Sequence, residues 1–257
     1  MATAINHGNN RRVKSAGFTL VEMMVVIAIS GLLAAIMLPA LSTAKEKSRR
    51  AICKSNLHQL LLVLNECAYQ NEDYLPSCAD DKGYYHSIVV SDVVFTNLVE
   101  MSGGNSNILY CPNIVFGANS TAVKQYITNI GYVIGYSYLA ATVTGSPKAP
   151  DVTVQPMKMP TMATSTTELL ADANFWTPIS GNTGYFPSRM KVAPHTAAGA
   201  AMARSSSFTV GLPGNSSASI GEVGGNVGFA DGHVDWKTLP QMQTNTASSL
   251  QDAYGTW

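Results

Sequence analysis

Charge is what this sequence has least of. Asp, Glu, Lys and Arg make up 12% of its 257 residues, against 46% hydrophobic residues. The apolar content is ordinary and the charge content low. The 16 basic and 16 acidic residues cancel, but unevenly: Arg11, Arg12 and Lys14 lie in an opening stretch without a single acid. What remains is mildly acidic, which excludes a nucleic-acid footprint on the body of the protein. Catalytic signatures are missing as well. There is no G-x-S-x-G elbow, no HExxH pair and no phosphate-binding loop, so no enzyme is expected. His58 belongs to an amphipathic helix, while His86 and His195 stand alone in loop-like sequence. No internal repeat is present, and the length suits one large domain or two small ones.

Cysteine is sparse too. Cys53, Cys67, Cys78 and Cys111 contain no CxxC spacing, so neither a zinc nor a redox motif is indicated. An exported body would permit a disulfide. Cys53 and Cys67 fall on one predicted helix, about 21 Å apart at 1.5 Å per residue, and cannot bond each other. Cys78 with Cys111 is the expected pair, with free buried thiols as the alternative.

Against these absences stands one long apolar run, Phe18 to Leu41, FTLVEMMVVIAISGLLAAIMLPAL, carrying the single charge Glu22. It is long enough to cross a hydrocarbon layer of about 30 Å as a helix. The basic residues before it hold the N-terminus in the cytoplasm by the positive-inside rule, so everything after it is exported. Three readings compete. A cleaved secretory signal would use the small residues Ser42-Thr43-Ala44, but the run is long for that purpose. A plain anchor has no reason to keep Glu22, because a carboxylate within a span costs about 2.5–3.5 kcal/mol on insertion scales.

The third reading rests on Lys14-Ser15-Ala16-Gly17-Phe18-Thr19-Leu20-Val21-Glu22. This string resembles the processing site of type IV prepilins and type II secretion pseudopilins. The resemblance implies that a prepilin peptidase/methyltransferase cuts between Gly17 and Phe18 and methylates Phe18. It implies further that Glu22 pairs with the N-terminal amine of a neighbouring pilin-like subunit, which suits a buried carboxylate in need of a partner. Pro39 falls where many members of that family carry a helix-loosening proline. The implied partners are the peptidase, other pilin-like subunits, inner-membrane assembly machinery and the membrane itself.

Beyond the run, Ile52, Leu57, Leu60, Leu61, Leu64, Cys67 and Ala68 recur at three- and four-residue steps. This predicts an amphipathic continuation to about Gln70, kinked near Pro39 and ended by Pro76. The texture then changes to Gly, Ser, Thr, Asn and Pro. Val93 to Met101 reads as a helix, and Ile88 to Val90 as a short helix or strand. Tyr126 to Ala141, Glu168 to Ala171 and Phe208 to Val210 read as strands, with loops at Thr142 to Pro160 and Ser205 to Gly225.

Asp231-Gly232, flanked by alternating apolar residues, predicts a hairpin with a two-residue turn. Phe229 would then pair with Val234 and Val227 with Trp236, all on one face. The same stretch, FADGHV, resembles the tail of prepilin-like proteins abundant in planctomycetes and their relatives. Arg50-Ala51-Ile52-Cys53, Asn56-Leu57, Cys111-Pro112 and Tyr136-Ser137-Tyr138 are further echoes. Those tails usually carry a His about nine residues before the Asp-Gly; here Gly221 holds that place. The nearest upstream histidine is His195, across a Ser/Gly-rich stretch that reads as an insertion.

The expected architecture is α+β and pilin-like, a long N-terminal helix packed on an antiparallel sheet. Its segments are a leader (1–17), a membrane and assembly helix (18–41), an amphipathic continuation (42–74) and an exported head (75–257). No cofactor is required. Major pseudopilins often bind calcium in the head, and Asp172, Asn226 and Asp231 are weak oxygen-ligand candidates for it. Asp231, His233 and Asp235 also invite a metal reading, which a turn at Asp231 undercuts. The function implied is a structural subunit of a secretion pseudopilus or type IV pilus-like filament, lodged in the inner membrane with a periplasmic or extracellular head. The alternative is a membrane-anchored binding module that stacks polysaccharide on Tyr84, Tyr85, Phe175, Trp176 and Tyr185.

Overall fold

The first helix begins with a reciprocal cap. Thr19 Oγ1 accepts from the Glu22 amide at 3.2 Å, and Glu22 Oε2 accepts from the Thr19 amide at 2.8 Å and its hydroxyl at 2.7 Å. Two of the helix's unsatisfied N–H groups are met in this way. A computed structural model describes residues 18–114, 125–127, 130–144, 153–159, 165–176, 191–196, 199–202, 223–248 and 254–257. In it α1 spans Leu20–Gln70 and runs through Pro39, whose carbonyl accepts from the hydroxyls of Ser42 and Thr43. The helix ends where Glu72 and Asp73 turn to positive φ and the Asp73 amide reaches back to the Ala68 carbonyl. That six-to-one bond closes a helix by the Schellman route, and Pro76 forbids its resumption.

The chain divides into two units, residues 1–45 and residues 46–257. In the first, every described residue is exposed, the apolar ones included. In the second, α1 buries Cys53, Leu57, Leu60, Leu61, Leu64, Cys67 and Ala68. The stripe is the expected one with one correction: Cys53 replaces Ile52, which is 47% exposed.

The remaining elements of the second unit are β1 (Val89–Val90), α2 (Asp92–Met101), β2 (Gln125–Ile127), β3 (Gly131–Val133), β4 (Tyr136–Tyr138), β5 (Ala141–Thr144), β6 (Thr153–Pro156), β7 (Glu168–Asp172), β8 (Phe175–Trp176), β9 (Lys191–Thr196), β10 (Gly199–Met202), β11 (Gly224–Phe229), β12 (Val234–Thr238), β13 (Thr244–Thr246) and β14 (Tyr254–Thr256). Ser91 caps α2 by accepting from the Val94 amide. All strand pairings among the described residues are antiparallel. The sheet that matters most runs β12-β11-β7-β4, and a second runs β10-β9-β8-β14-β13. The α+β expectation therefore holds. The loop expected over Thr142 to Pro160 is instead the β5–β6 ribbon at its described ends, and Phe208 to Val210 lies outside the described residues.

The terminal hairpin forms with a different register from the expected one. Gly228 pairs with Val234, Val227 with Asp235 and Asn226 with Trp236. The reason is the turn. The Gly232 amide bonds the Phe229 carbonyl, the Phe229 amide bonds the His233 carbonyl, and Gly232 takes φ +92°. This is a three-residue loop closed by a left-handed glycine rather than a two-residue turn. A one-residue shift swaps faces, so Val227 and Phe229 join a small cluster with Leu139, Met242 and Trp257. Val234 joins the main core with the α1 stripe. Gly228 faces α1 so closely that a Cβ there would lie 2.8 Å from Leu61 Cδ1.

The disulfide also differs from expectation. Cys53 bonds Cys111, with Cα atoms 5.2 Å apart, while Cys67 and Cys78 are free and buried. Cys53 lies on the buried stripe of α1, and the Asn56 side chain donates to the Tyr110 carbonyl at 3.1 Å, fixing the 110–111 backbone against the helix. Cys111 is thereby presented to Cys53 and not to Cys78.

Candidate functional site

The N-terminal segment places Phe18 and Glu22 on the surface of the first unit, four residues apart. Gly17 lies outside the described residues. The Glu22 carboxylate is occupied locally, as the cap of its own helix. Around it Leu20, Val21, Met23, Met24, Val25, Val26 and Ile27 are all more than half exposed. Leaving a large aliphatic side chain in water forfeits about 1.5–3 kcal/mol relative to burying it. An all-round apolar helix of this kind is stable only in lipid or against other apolar helices.

The second unit holds a buried polar cluster. β9 carries His195, β7 carries Asp172, and both side chains are fully enclosed beside the Cys53–Cys111 bond. His195 Nδ1 lies 2.7 Å from Glu46 Oε1, and His195 Nε2 lies 3.4 Å from Asp172 Oδ2 and 3.7 Å from Cys111 Sγ. A carboxylate therefore faces each ring nitrogen, Glu46 at Nδ1 and Asp172 at Nε2. Asn113 donates to Glu46 Oε2 and to the Pro194 carbonyl. Asn226 donates to Asp172 Oδ2 from its backbone at 2.6 Å and its side chain at 2.9 Å. Arg50 bonds Glu46 and lies 4.3 Å from the centre of the Trp236 ring, whose edge meets His195.

These contacts set the ionisation of the cluster. Burial pushes the Asp172 carboxyl up, against the opposing pull of His195, the Asn226 hydrogen bonds and Arg50. Partial burial also pushes Glu46 up, but hydrogen bonds from His195, Asn113 and Arg50 outweigh it and hold that carboxyl below its ordinary value.

A second enclosed set, Asp80, His86 and Ser248, has the residue types of a hydrolytic triad, with Ser248 Oγ 2.8 Å from His86 Nδ1. All three are buried. Asp80 Oδ1 accepts from the Lys82 and Tyr84 amides, which makes it a loop brace.

The three calcium candidates do not converge. Asp172 and Asn226 bond each other, whereas Asp231 sits in the hairpin loop with its carboxylate on His233. His233 lies between Asp231 and Asp235, the latter at 3.7 Å, but on the surface. Of the proposed stacking aromatics, Tyr85, Phe175 and Trp176 are buried and Tyr185 lies outside the described residues.

Neither His195, read as standing alone in loop-like sequence, nor Glu46 is marked by any periodicity in the sequence. The Val223 amide bonds the His195 carbonyl at 3.2 Å, so His195 lies beside the chain two residues from position 221.

In comparison with known proteins, residues 12–38 fit the family model described as the prokaryotic N-terminal methylation motif. No curated protein and no solved structure matches the chain.

Proposed function

We infer that this type IV pilin-like chain, which carries a prepilin-type signal, is a filament subunit rather than an isolated anchored domain. The observation that carries the inference is the apolar helix after position 17, exposed on all sides and interrupted by one carboxylate at Glu22. Lipid alone would cover the apolar side chains but would leave Glu22 without a counter-charge. Stacked copies would supply both. Cleavage before Phe18 creates an amine near the depth of Glu22, and Glu22 exchanges its own Thr19 cap for the amine of a neighbour. The basic leader keeps the N-terminus cytoplasmic, so the 46–257 unit is displayed outside the inner membrane. A secretion pseudopilus and a surface pilus use the same helix; short envelope-bound fibres would indicate the first and long free fibres the second.

N-terminal mass spectrometry of the chain from its native membrane tests this. A mature chain beginning at methylated Phe18 is expected, together with a Glu22→Ala variant that is processed but no longer recovered in filaments. A chain beginning at Lys45, or an intact Met1, would refute the reading.

A further inference from the structure

The buried cluster contains more ligating capacity than a structural disulfide requires. Cys53 Sγ, Cys111 Sγ, His195 Nε2 and an Asp172 oxygen all lie within 4.8 Å of one another. We propose that the chain has a second state, with the Cys53–Cys111 bond reduced, in which Cys53, Cys111, His195 and Asp172 hold one divalent cation of the zinc type.

The geometry suits that ion. Zn–S near 2.3 Å, Zn–N near 2.0–2.1 Å and Zn–O near 2.0 Å, at tetrahedral angles, give an S···N edge of about 3.6 Å and an N···O edge of about 3.3 Å. The corresponding separations are 3.7 Å for Cys111 Sγ to His195 Nε2 and 3.4 Å for His195 Nε2 to Asp172 Oδ2. The S···S edge has to open to about 3.8 Å, which is what reduction allows, and the remaining edges lie within 4.8 Å. Two thiolates and an imidazole select zinc over calcium or magnesium, which require oxygen ligands. Four protein ligands in a sealed pocket make the site structural rather than catalytic.

The outer contacts match as well. Glu46 lies on His195 Nδ1, so that Nε2 is the nitrogen turned toward the sulfur and Asp172, the arrangement carboxylates give metal-bound histidines. Asn226 holds Asp172 Oδ2 from two directions, while the buried Asp172 Oδ1 takes no hydrogen bond. Arg50, close to the cluster over Trp236, offsets the surplus negative charge of two thiolates and a carboxylate.

The exchange balances. A dithiol reductant gives two electrons and two protons to the S–S bond, which breaks to two thiols while the reductant closes to its own disulfide. Binding of the cation then releases the two thiol protons to solvent. The oxidised crosslink and the metal site are mutually exclusive states of the same two cysteines.

The test uses the full chain in detergent, reduced by a dithiol that is then removed without oxygen, and titrated with Co(II). One equivalent is expected to produce a thiolate-to-cobalt charge-transfer band and the intense visible bands of tetrahedral cobalt, both abolished by stoichiometric zinc. Cys67→Ser/Cys78→Ser must leave these spectra unchanged, and the unreduced chain must show none. Glu46→Gln, which keeps all four ligands, should weaken binding about 10–100-fold. His195→Gln should remove the tetrahedral bands, with circular dichroism confirming that the variant folds. A reduced chain without a charge-transfer band would overturn the proposal, as would a spectrum carried by Cys67 and Cys78 or unaltered by His195→Gln.

Discussion

Deleting the Cys53–Cys111 crosslink tests the packing of α1 against the head most directly. The bond joins residues 58 positions apart. In the chain-entropy account a closed loop of that length removes about 14 cal/mol/K from the unfolded ensemble, or about 4 kcal/mol at 25 °C. For a folded unit of this size, 1 kcal/mol moves Tm by about 2–4 °C, so Cys53→Ala/Cys111→Ala should lower Tm by roughly 8–16 °C. The control is Cys78→Ala, which removes a buried thiol but no crosslink and should cost no more than about 1–2 kcal/mol. Both variants, full-length in detergent, would be melted by near-ultraviolet circular dichroism with and without a reductant. The reductant should destabilise the parent and Cys78→Ala but leave the double variant unmoved. If Cys78→Ala instead abolished the reductant's effect, Cys78 would be the bonded cysteine and the placement of Cys111 beneath α1 would be wrong.

Two further outcomes follow from other contacts. Gly228→Ala places a methyl group 2.8 Å from Leu61 Cδ1 in a sealed interface and should cost about 1–3 kcal/mol by overpacking. Adding Leu61→Ala should then cost clearly less than Leu61→Ala alone in the parent, and additive losses in a denaturant series would show that the two residues do not touch. Burial pushes the Cys78 thiol up to about 12 and the Tyr138 phenol well above its ordinary value. The unfolded chain therefore loses these protons first, and stability falls by about 1.4 kcal/mol per pH unit per group, from about pH 9 for Cys78 and from about pH 10 for Tyr138. Melts between pH 8 and 11 check this, and a flat profile would mean that Cys78 is open to solvent.

Much of the chain was legible in its residues because two signals were local. The apolar run with Glu22 in it and the basic stretch before it are continuous in sequence, and they mark a long apolar helix and a stretch that fits the N-terminal methylation motif without reference to any partner strand. The amphipathic stripe from Leu57 to Ala68 and the helix Asp92–Met101 were equally readable, because a helix writes its buried face at steps of three and four. Only the tertiary structure decided the rest, and always for want of a local rule. Whether Asp231-Gly232 closes a two- or three-residue loop depends on which strand edge meets α1, and that choice moved Val227 and Phe229 off the face shared with Val234. The partner of Cys53 was set by Asn56 gripping the backbone at Tyr110, a contact between groups 54 residues apart. The cluster of Glu46, Cys53, Cys111, Asp172 and His195 draws on a helix, a loop and two strands. No spacing between such distant residues carries a period, because the distances that bring them together are set by packing and not by the repeat of any one element.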